Sequence, residues 1–325
     1  MIPSTEKFRP NEFGDIYNNN NIDIILSQCL KKKDIPHFLF YGNSGNGKTT
    51  SIMTYIKKLY GSYTHQNVIY LNASDDRGIN TVREKIKTFS KLSTSGNDLK
   101  IIVLDEADNM TNDAQSALRR IMEIYSKNTR FIIICNYVNK IIEPIISRCC
   151  QVKFNPLTDE QINKIITKVE TELKFEIHKK IKDYLVEETR GDARKTLNLL
   201  ECLYQIYYSK KNTFENNDVL NTLNDLTGNI DTIHFKEFLK EIEDANIENF
   251  PSLISSFMNQ NYDTNKIIKK FIKYFHNLKM NENIKNDVIT NLYDLLKKIF
   301  EGTPEEIAFR YIVYQYKYIY NNYLN

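Results

Sequence analysis

Between Phe38 and Thr50 the chain reads Phe-Leu-Phe-Tyr-Gly-Asn-Ser-Gly-Asn-Gly-Lys-Thr-Thr, and no other stretch restricts its fold as strongly. The apolar run that ends at Gly42 predicts a buried strand. From Ile52 on, apolar residues recur at helical spacing through Tyr55, Ile56 and Leu59, which predicts a helix. Between the two lies G-x-x-x-x-G-K-[ST], with Gly42, Gly47, Lys48 and Thr49 in the fixed positions. Glycines let successive backbone N–H groups turn inward without Cβ clashes, and the helix start adds the positive end of its dipole. Lys48 can then reach the β- and γ-phosphates of a nucleoside triphosphate, and the Thr49 hydroxyl can hold Mg²⁺. The candidate phosphate site is therefore Gly42, Asn43, Ser44, Gly45, Asn46, Gly47, Lys48, Thr49 and Thr50.

The rest of the chain repeats the strand-then-helix alternation. Apolar runs at Val68–Leu71, Ile101–Leu104, Phe131–Cys135 and Val152–Phe154 predict further strands, with helical spacing between them. Strands that are apolar throughout and alternate with helices predict a parallel sheet covered on both faces, over residues 1–156. After Pro156 the strand signals stop. Thr158 and Gln161 form a capping-box pattern that opens a small helical domain over 157–227. A break at Leu226–Asn229 separates it from a wholly helical domain over 228–325. The tyrosine-rich end (Tyr311, Tyr314, Tyr316, Tyr318, Tyr320) reads as an amphipathic helix packed on its neighbours, in preference to a base-stacking surface.

At 325 residues the chain has room for two or three domains. A net charge of +3 leaves nucleic-acid binding to a local basic patch. The five cysteines show no C-x-x-C pair, which argues for free thiols in a reducing compartment, without disulfides or zinc. No apolar run approaches bilayer length and no signal-peptide pattern opens the chain, so the expectation is a soluble intracellular protein with no membrane partner.

Asp105 and Glu106 end a predicted strand downstream of the phosphate loop. A carboxylate there can hold Mg²⁺ through water while its neighbour polarises an attacking water, so Asp105 is the metal-side candidate and Glu106 the catalytic base. Asp105-Glu106-Ala107-Asp108 also spells the box of DEAD-type RNA helicases. Those need a second α/β domain, and the helical C-terminal half offers no second strand series. Three more candidates are Asn136 at the end of the fourth strand, Arg194 at a helix start, and Arg148 after a helix set away from the loop.

Read in order, Glu6-Lys7-Phe8-Arg9-Pro10, Leu71-Asn72-Ala73-Ser74-Asp75-Asp76-Arg77-Gly78, Leu104-Asp105-Glu106-Ala107-Asp108, Ala114-Gln115 with Ala117-Leu118-Arg119-Arg120, Thr129-Arg130-Phe131, Ser147-Arg148-Cys149 and Gly191-Asp192 with Arg194 resemble the small subunits of replication factor C. These are sliding-clamp loaders among the AAA+ ATPases. The resemblance covers about residues 5 to 205. It implies an α/β P-loop AAA+ domain followed by a helical lid domain and an all-α collar domain. It implies ATP in the Gly42–Thr50 loop, with Arg9 and Pro10 bordering the adenine. Thr49 and Asp105 would hold Mg²⁺, Glu106 would serve hydrolysis, and Asn136 and Arg194 match the two sensors. Arg148 matches an arginine finger that acts in trans on ATP of the neighbouring subunit. The implied partners are sister subunits in a heteropentamer, the sliding clamp and primer–template DNA. Its duplex backbone would be tracked by Arg77, Arg83, Lys87 and Arg119 through sequence-independent phosphate contacts. A nucleus would house a cellular copy, and a viral replication site a viral one. Family loops commonly carry two prolines and a threonine where this one reads Asn43-Ser44-Gly45-Asn46, so loop rigidity is the point of departure. A non-hydrolysing, ATP-binding scaffold subunit and a different AAA+ remodeller are the alternatives.

Overall fold

The apolar runs are strands of one sheet, and the way their side chains alternate explains why the central ones show no polar positions. The computed structural model of the chain describes residues 4–10, 20–32, 35–61, 67–73, 79–91, 99–209, 216–260 and 262–324. Strands β1 (Phe38–Tyr41), β2 (Val68–Asn72), β3 (Lys100–Asp105), β4 (Thr129–Cys135) and β5 (Cys150–Lys153) are all parallel, in the order β2-β3-β4-β1-β5.

After a short first helix, α1 (Ser4–Lys7), one face of this sheet buries Phe38, Phe40, Ile101, Val103, Ile132 and Ile134 against α2 (Asn20–Lys32) and α3 (Lys48–Tyr60). Ile22, Leu26, Ile52, Tyr55 and Ile56 supply the helix side of that layer. On the opposite face Leu39, Ile102, Leu104, Phe131 and Ile133 pack with Ile86, Leu118, Ile121, Met122 and Ile145. Those come from α4 (Ile79–Lys91), α5 (Asn112–Tyr125) and α6 (Glu143–Ile146). Successive residues of β1, β3 and β4 thus point into two different cores, and both must be apolar.

The edge strands differ. In β5 only Val152 is buried, and the strand begins two residues before and ends one residue before the Val152–Phe154 run, with Phe154 leaving the ladder to join the core. An edge strand pairs on one side and is incompletely covered, so its sequence carries a weaker signal.

Helix starts follow local chemistry. Thr111 caps α5 by accepting from the Ala114 N–H. Thr158 and Gln161 make both hydrogen bonds of the capping box at α7 (Asp159–Leu173). Helices α8 (Lys179–Thr189) and α9 (Ala193–Ser209) complete the first of two compact units, residues 1–212. In it the Leu157 N–H donates to Gly191 O at 3.0 Å, which ties the entry to α7 to the turn between α8 and α9.

The second unit, residues 213–325, is helical: α10 (Asn216–Thr227), α11 (Thr232–Asp244), α12 (Phe250–Met258), α13 (Thr264–Asn277), α14 (Glu282–Phe300) and α15 (Glu305–Ile319). Its core is rich in aromatic rings, with Phe257 stacked on Phe309 at 5.3 Å and Phe235 edge-on to Phe271 at 5.1 Å. Of the terminal tyrosines, Tyr316 is core and donates to Glu243 Oε1 at 2.5 Å, whereas Tyr311, Tyr314 and Tyr318 are exposed. Helix α15 is amphipathic, as its spacing predicts. Among the described residues no helix is long and apolar enough to cross a membrane. Cys135, Cys149, Cys150 and Cys202 are free thiols, and burial above all pushes Cys135 and Cys149 up to about 12, which keeps them protonated and inert.

Candidate nucleotide-binding site

Three neighbouring strands end on the same edge of the sheet, because β3, β4 and β1 are adjacent and parallel. The phosphate loop leaves β1, Asp105 ends β3, and Asn136 follows β4. Open parallel sheets bind ligands outside the carboxyl ends of their strands, and this edge carries the chemistry.

The loop backbone is left-handed at Gly45 (φ +74°) and Gly47 (φ +82°). At Gly42 a Cβ would stand 2.2 Å from Phe154 O, so the backbone passes too close for any side chain. Asn46 is buried and its Nδ2 donates to that same Phe154 O at 3.1 Å. Here is the rigidity that the missing prolines put in question: an asparagine side chain pins the loop to the residue after β5, and so braces the phosphate cradle from behind.

Lys48 is buried, and its ammonium donates to Gly42 O (2.7 Å), Asn43 O (2.9 Å) and Asn136 Oδ1 (2.9 Å). Burial lowers its pKa; Asp105 opposes that shift and Arg194 adds to it. The Thr49 hydroxyl donates to Asp105 Oδ2 at 2.9 Å, and the Glu106 N–H donates to Asp105 Oδ1 at 2.9 Å. The Tyr70 hydroxyl also donates to Asp105 Oδ2. Burial, and then the Asp105 carboxylate that accepts its proton, hold Tyr70 well above the usual phenol range. Glu106 adopts φ 53°, a left-handed conformation costing a residue with a side chain about 1 kcal/mol. Such strain gathers at functional sites. Its carboxylate accepts from Asn109 Nδ2 at 3.3 Å.

Among the described residues no group of three or more His, Cys, Asp or Glu side chains could hold a metal unaided. For a cation the site offers the Asp105 carboxylate and the Thr49 hydroxyl, both hard oxygen donors. A cation here would complete its shell with water and phosphate oxygens, which is the habit of Mg²⁺. The residues fit that ion.

A cavity of about 430 Å³ opens over these groups. Ser44 to Thr50, Asp105, Glu106 and Asn136 form its floor, Arg9 and Pro10 one wall, and Ile165, Lys168, Val169, Arg194 and Leu197 of α7 and α9 the other. The α9 start is clasped to the loop. The Ala193 N–H donates to Gly45 O at 3.2 Å, and Asp192, which caps α9 by accepting from the Lys195 N–H at 3.0 Å, fills the space a Gly45 side chain would need.

Arg9, Pro10, the loop, Asp105, Glu106, Asn136 and Arg194 are thus brought around one cavity. Gly42 and Asn43 join it through the carbonyls that bind Lys48. Arg148 is not in this set. Beyond α6 it donates to Pro144 O (2.7 Å) and to Glu123 Oε1 (2.5 Å), and Arg119 Nε stands 3.8 Å from the same carboxylate. Gln115 ties α5 to the approach to α6, donating to Lys140 O (2.9 Å) and accepting from the Ile142 N–H (2.8 Å). Lys87 is exposed on α4 and Arg119 half-exposed on α5, while Arg77 and the Arg83 side chain lie outside the described residues. Sequence reasoning did not find Tyr70, Asp192 or Lys168. Asp192 had a signal, an aspartate just ahead of a helix; Tyr70, an aromatic within a strand, had none.

Residues 38–157 match the family described as ATPase family associated with various cellular activities (AAA), and residues 230–313 the replication factor C C-terminal domain. Replication factor C subunit 4 of Arabidopsis thaliana is 37% identical over 279 residues, 80% of this chain and 81% of that protein. The chain belongs to the replication factor C subunit family. Replication factor C small subunit 1 of Pyrobaculum islandicum is 43% identical over 197 residues, which is 60% of each chain. The match therefore spans about 60% of that archaeal relative's length. In fold, the RuvB Holliday junction branch migration motor of Thermotoga maritima is similar with a TM-score of 0.57 at 15% identity, over 77% of this chain and 85% of that one. The parallel P-loop sheet and the helical C-terminal half expected of a replication factor C small subunit are both present.

Proposed function

We propose that this chain is an ATP-driven clamp-loader subunit that joins sister subunits in a heteropentamer, grips the sliding clamp and helps place it on primer–template DNA. The observation that carries the reading is the cavity in which the phosphate loop, the Asp105–Glu106 strand end, Asn136 and Arg194 converge. In this reading the Gly42–Thr50 backbone and Lys48 take the phosphates, with Arg9 and Pro10 beside the adenine. Thr49 and Asp105 hold Mg²⁺, which neutralises developing phosphate charge when bound. Glu106 orients and deprotonates the attacking water. Asn136 has its oxygen turned to Lys48, which leaves its amide NH₂ for the γ-phosphate. Arg194 carries the state of that phosphate to α9. Arg148, outside the cavity lining, serves the site of the neighbouring protomer. Residues 1–156 act as the AAA+ domain, 157–227 as its lid and 228–325 as the oligomerising collar. Lys87, Arg119, Arg77 and Arg83 contact duplex phosphates. As a eukaryotic-type factor it would work in the nucleus, or at the replication site of a virus.

The test is Glu106→Gln in the complex reconstituted with sister subunits, clamp and primed DNA. Loss of a general base costs about 10²–10⁴ in rate at this site, with ATP binding retained. Unchanged DNA-stimulated hydrolysis would favour the scaffold reading. A pull-down free of clamp and sister subunits would favour a remodeller of another kind.

A further inference from the structure

We propose that Tyr70 is a positioning residue for Asp105, its hydroxyl fixing the carboxylate that would face magnesium; the inference rests on the nucleotide-site reading above. Among the described residues three donors hold that carboxylate: the Glu106 N–H on Oδ1, and the Thr49 and Tyr70 hydroxyls on Oδ2. Thr49 has a single proton and is itself a prospective cation ligand, so its hydroxyl serves two tasks. Tyr70 and the Glu106 N–H serve only one.

Strand register makes the contact possible. Asn72 pairs with Asp105 and Tyr70 with Val103, so Tyr70 stands two residues behind the carboxylate on the adjacent strand. Two strand residues span roughly 6.6 Å, a reach that a tyrosine side chain has and a serine, threonine or asparagine lacks. Among the described residues strand β2 is the sheet edge, and no described strand beyond it supplies an alternative donor. Tyr70 as a whole is 42% exposed there, which is poor use of an aromatic for core packing. The hydroxyl is the part of this side chain that the site uses. Partners of this kind, one step removed from the ion, typically change metal affinity by about 10–100-fold when lost.

Tyr70→Phe keeps the ring and removes the donor. Binding of a fluorescent ATP analogue to the full chain is titrated with Mg²⁺ and repeated in EDTA, alongside thermal melting. The expected result is a half-saturating Mg²⁺ concentration raised about tenfold or more. Metal-free nucleotide affinity and melting temperature should stay unchanged. An unaltered Mg²⁺ dependence, or an equal loss with and without metal, overturns the assignment alone. Should the unsubstituted chain bind the analogue without any response to Mg²⁺, or Lys48→Ala bind as well as it does, the nucleotide-site reading falls and the inference with it.

Discussion

Gly45→Ala probes the clasp between the phosphate loop and α9. Its Cβ would lie 1.8 Å from Asp192 Oδ1, where ordinary contact begins at 3.4 Å, so the aspartate or the loop must retreat by the difference, 3.4 − 1.8, about 1.6 Å. Asp192 is not free to swing. Its Oδ1 accepts from the Lys195 N–H, and its carbonyl accepts from the Thr196 N–H at 3.0 Å and the Thr196 hydroxyl at 2.8 Å. The movement therefore passes to the start of α9, where Arg194 lies two residues on. Left-handed alanine costs about 1 kcal/mol and a disturbed helix cap about another, so the folded state loses roughly 2 kcal/mol. A misplacement of this size can cost about 100-fold in turnover, or about 2.7 kcal/mol. Urea denaturation reads the first effect; nucleotide titration and DNA-stimulated hydrolysis in the reconstituted complex read the second. Gly61→Ala is the control: φ is +56° there too, and among the described residues nothing lies within 4 Å of the added Cβ. It should lose stability without losing nucleotide affinity. Adding Asp192→Ala to Gly45→Ala removes the clash and should restore part of the affinity. Wild-type turnover in Gly45→Ala, or no recovery in the double variant, would refute the reasoning.

Two further predictions concern charge. Arg148→Ala should leave ATP binding at its own site intact and depress turnover at the adjoining protomer by about 10³-fold or more; weaker binding at its own site, read by nucleotide titration, would sink the trans assignment. His37, whose Nδ1 accepts from the Phe131 N–H at 3.1 Å, is held down to about 4 by burial and then by the Arg130 charge. Its folded pKa lies below the unfolded value of 6.5, so the unfolded chain takes up the proton first. Stability from this site is whole above pH 6.5, falls as pH drops toward 4 and is flat below, by at most about 3 kcal/mol before solvent screening. His37→Asn keeps an acceptor without titrating, and urea midpoints across that pH range should lose the slope assigned to this residue.

Much of this protein could be read from short stretches. The phosphate loop and the Thr158–Gln161 box depend on residues close together in the chain, and each is found where its pattern puts it. The central strands were legible because burial on two faces leaves no polar position in their middles, while β5 begins two residues before its expected start because an edge strand escapes that demand. Site residues that follow strand ends, Asp105, Glu106 and Asn136, came with the strands.

What no window of sequence contains is the pairing of distant groups. Asn46 reads as a polar loop residue until Phe154, 108 positions away, accepts its proton. Nothing near Glu106 announces its left-handed backbone, nothing near Tyr70 its hold on Asp105, and nothing near Arg148 the Glu123 carboxylate that grips it. Local propensity and periodicity are summed over neighbours in the chain, and so they determined which elements form and what chemistry each carries. Hydrogen bonds that fix the direction of a side chain are settled by neighbours in space, and only the packed sheet and its helices decided those.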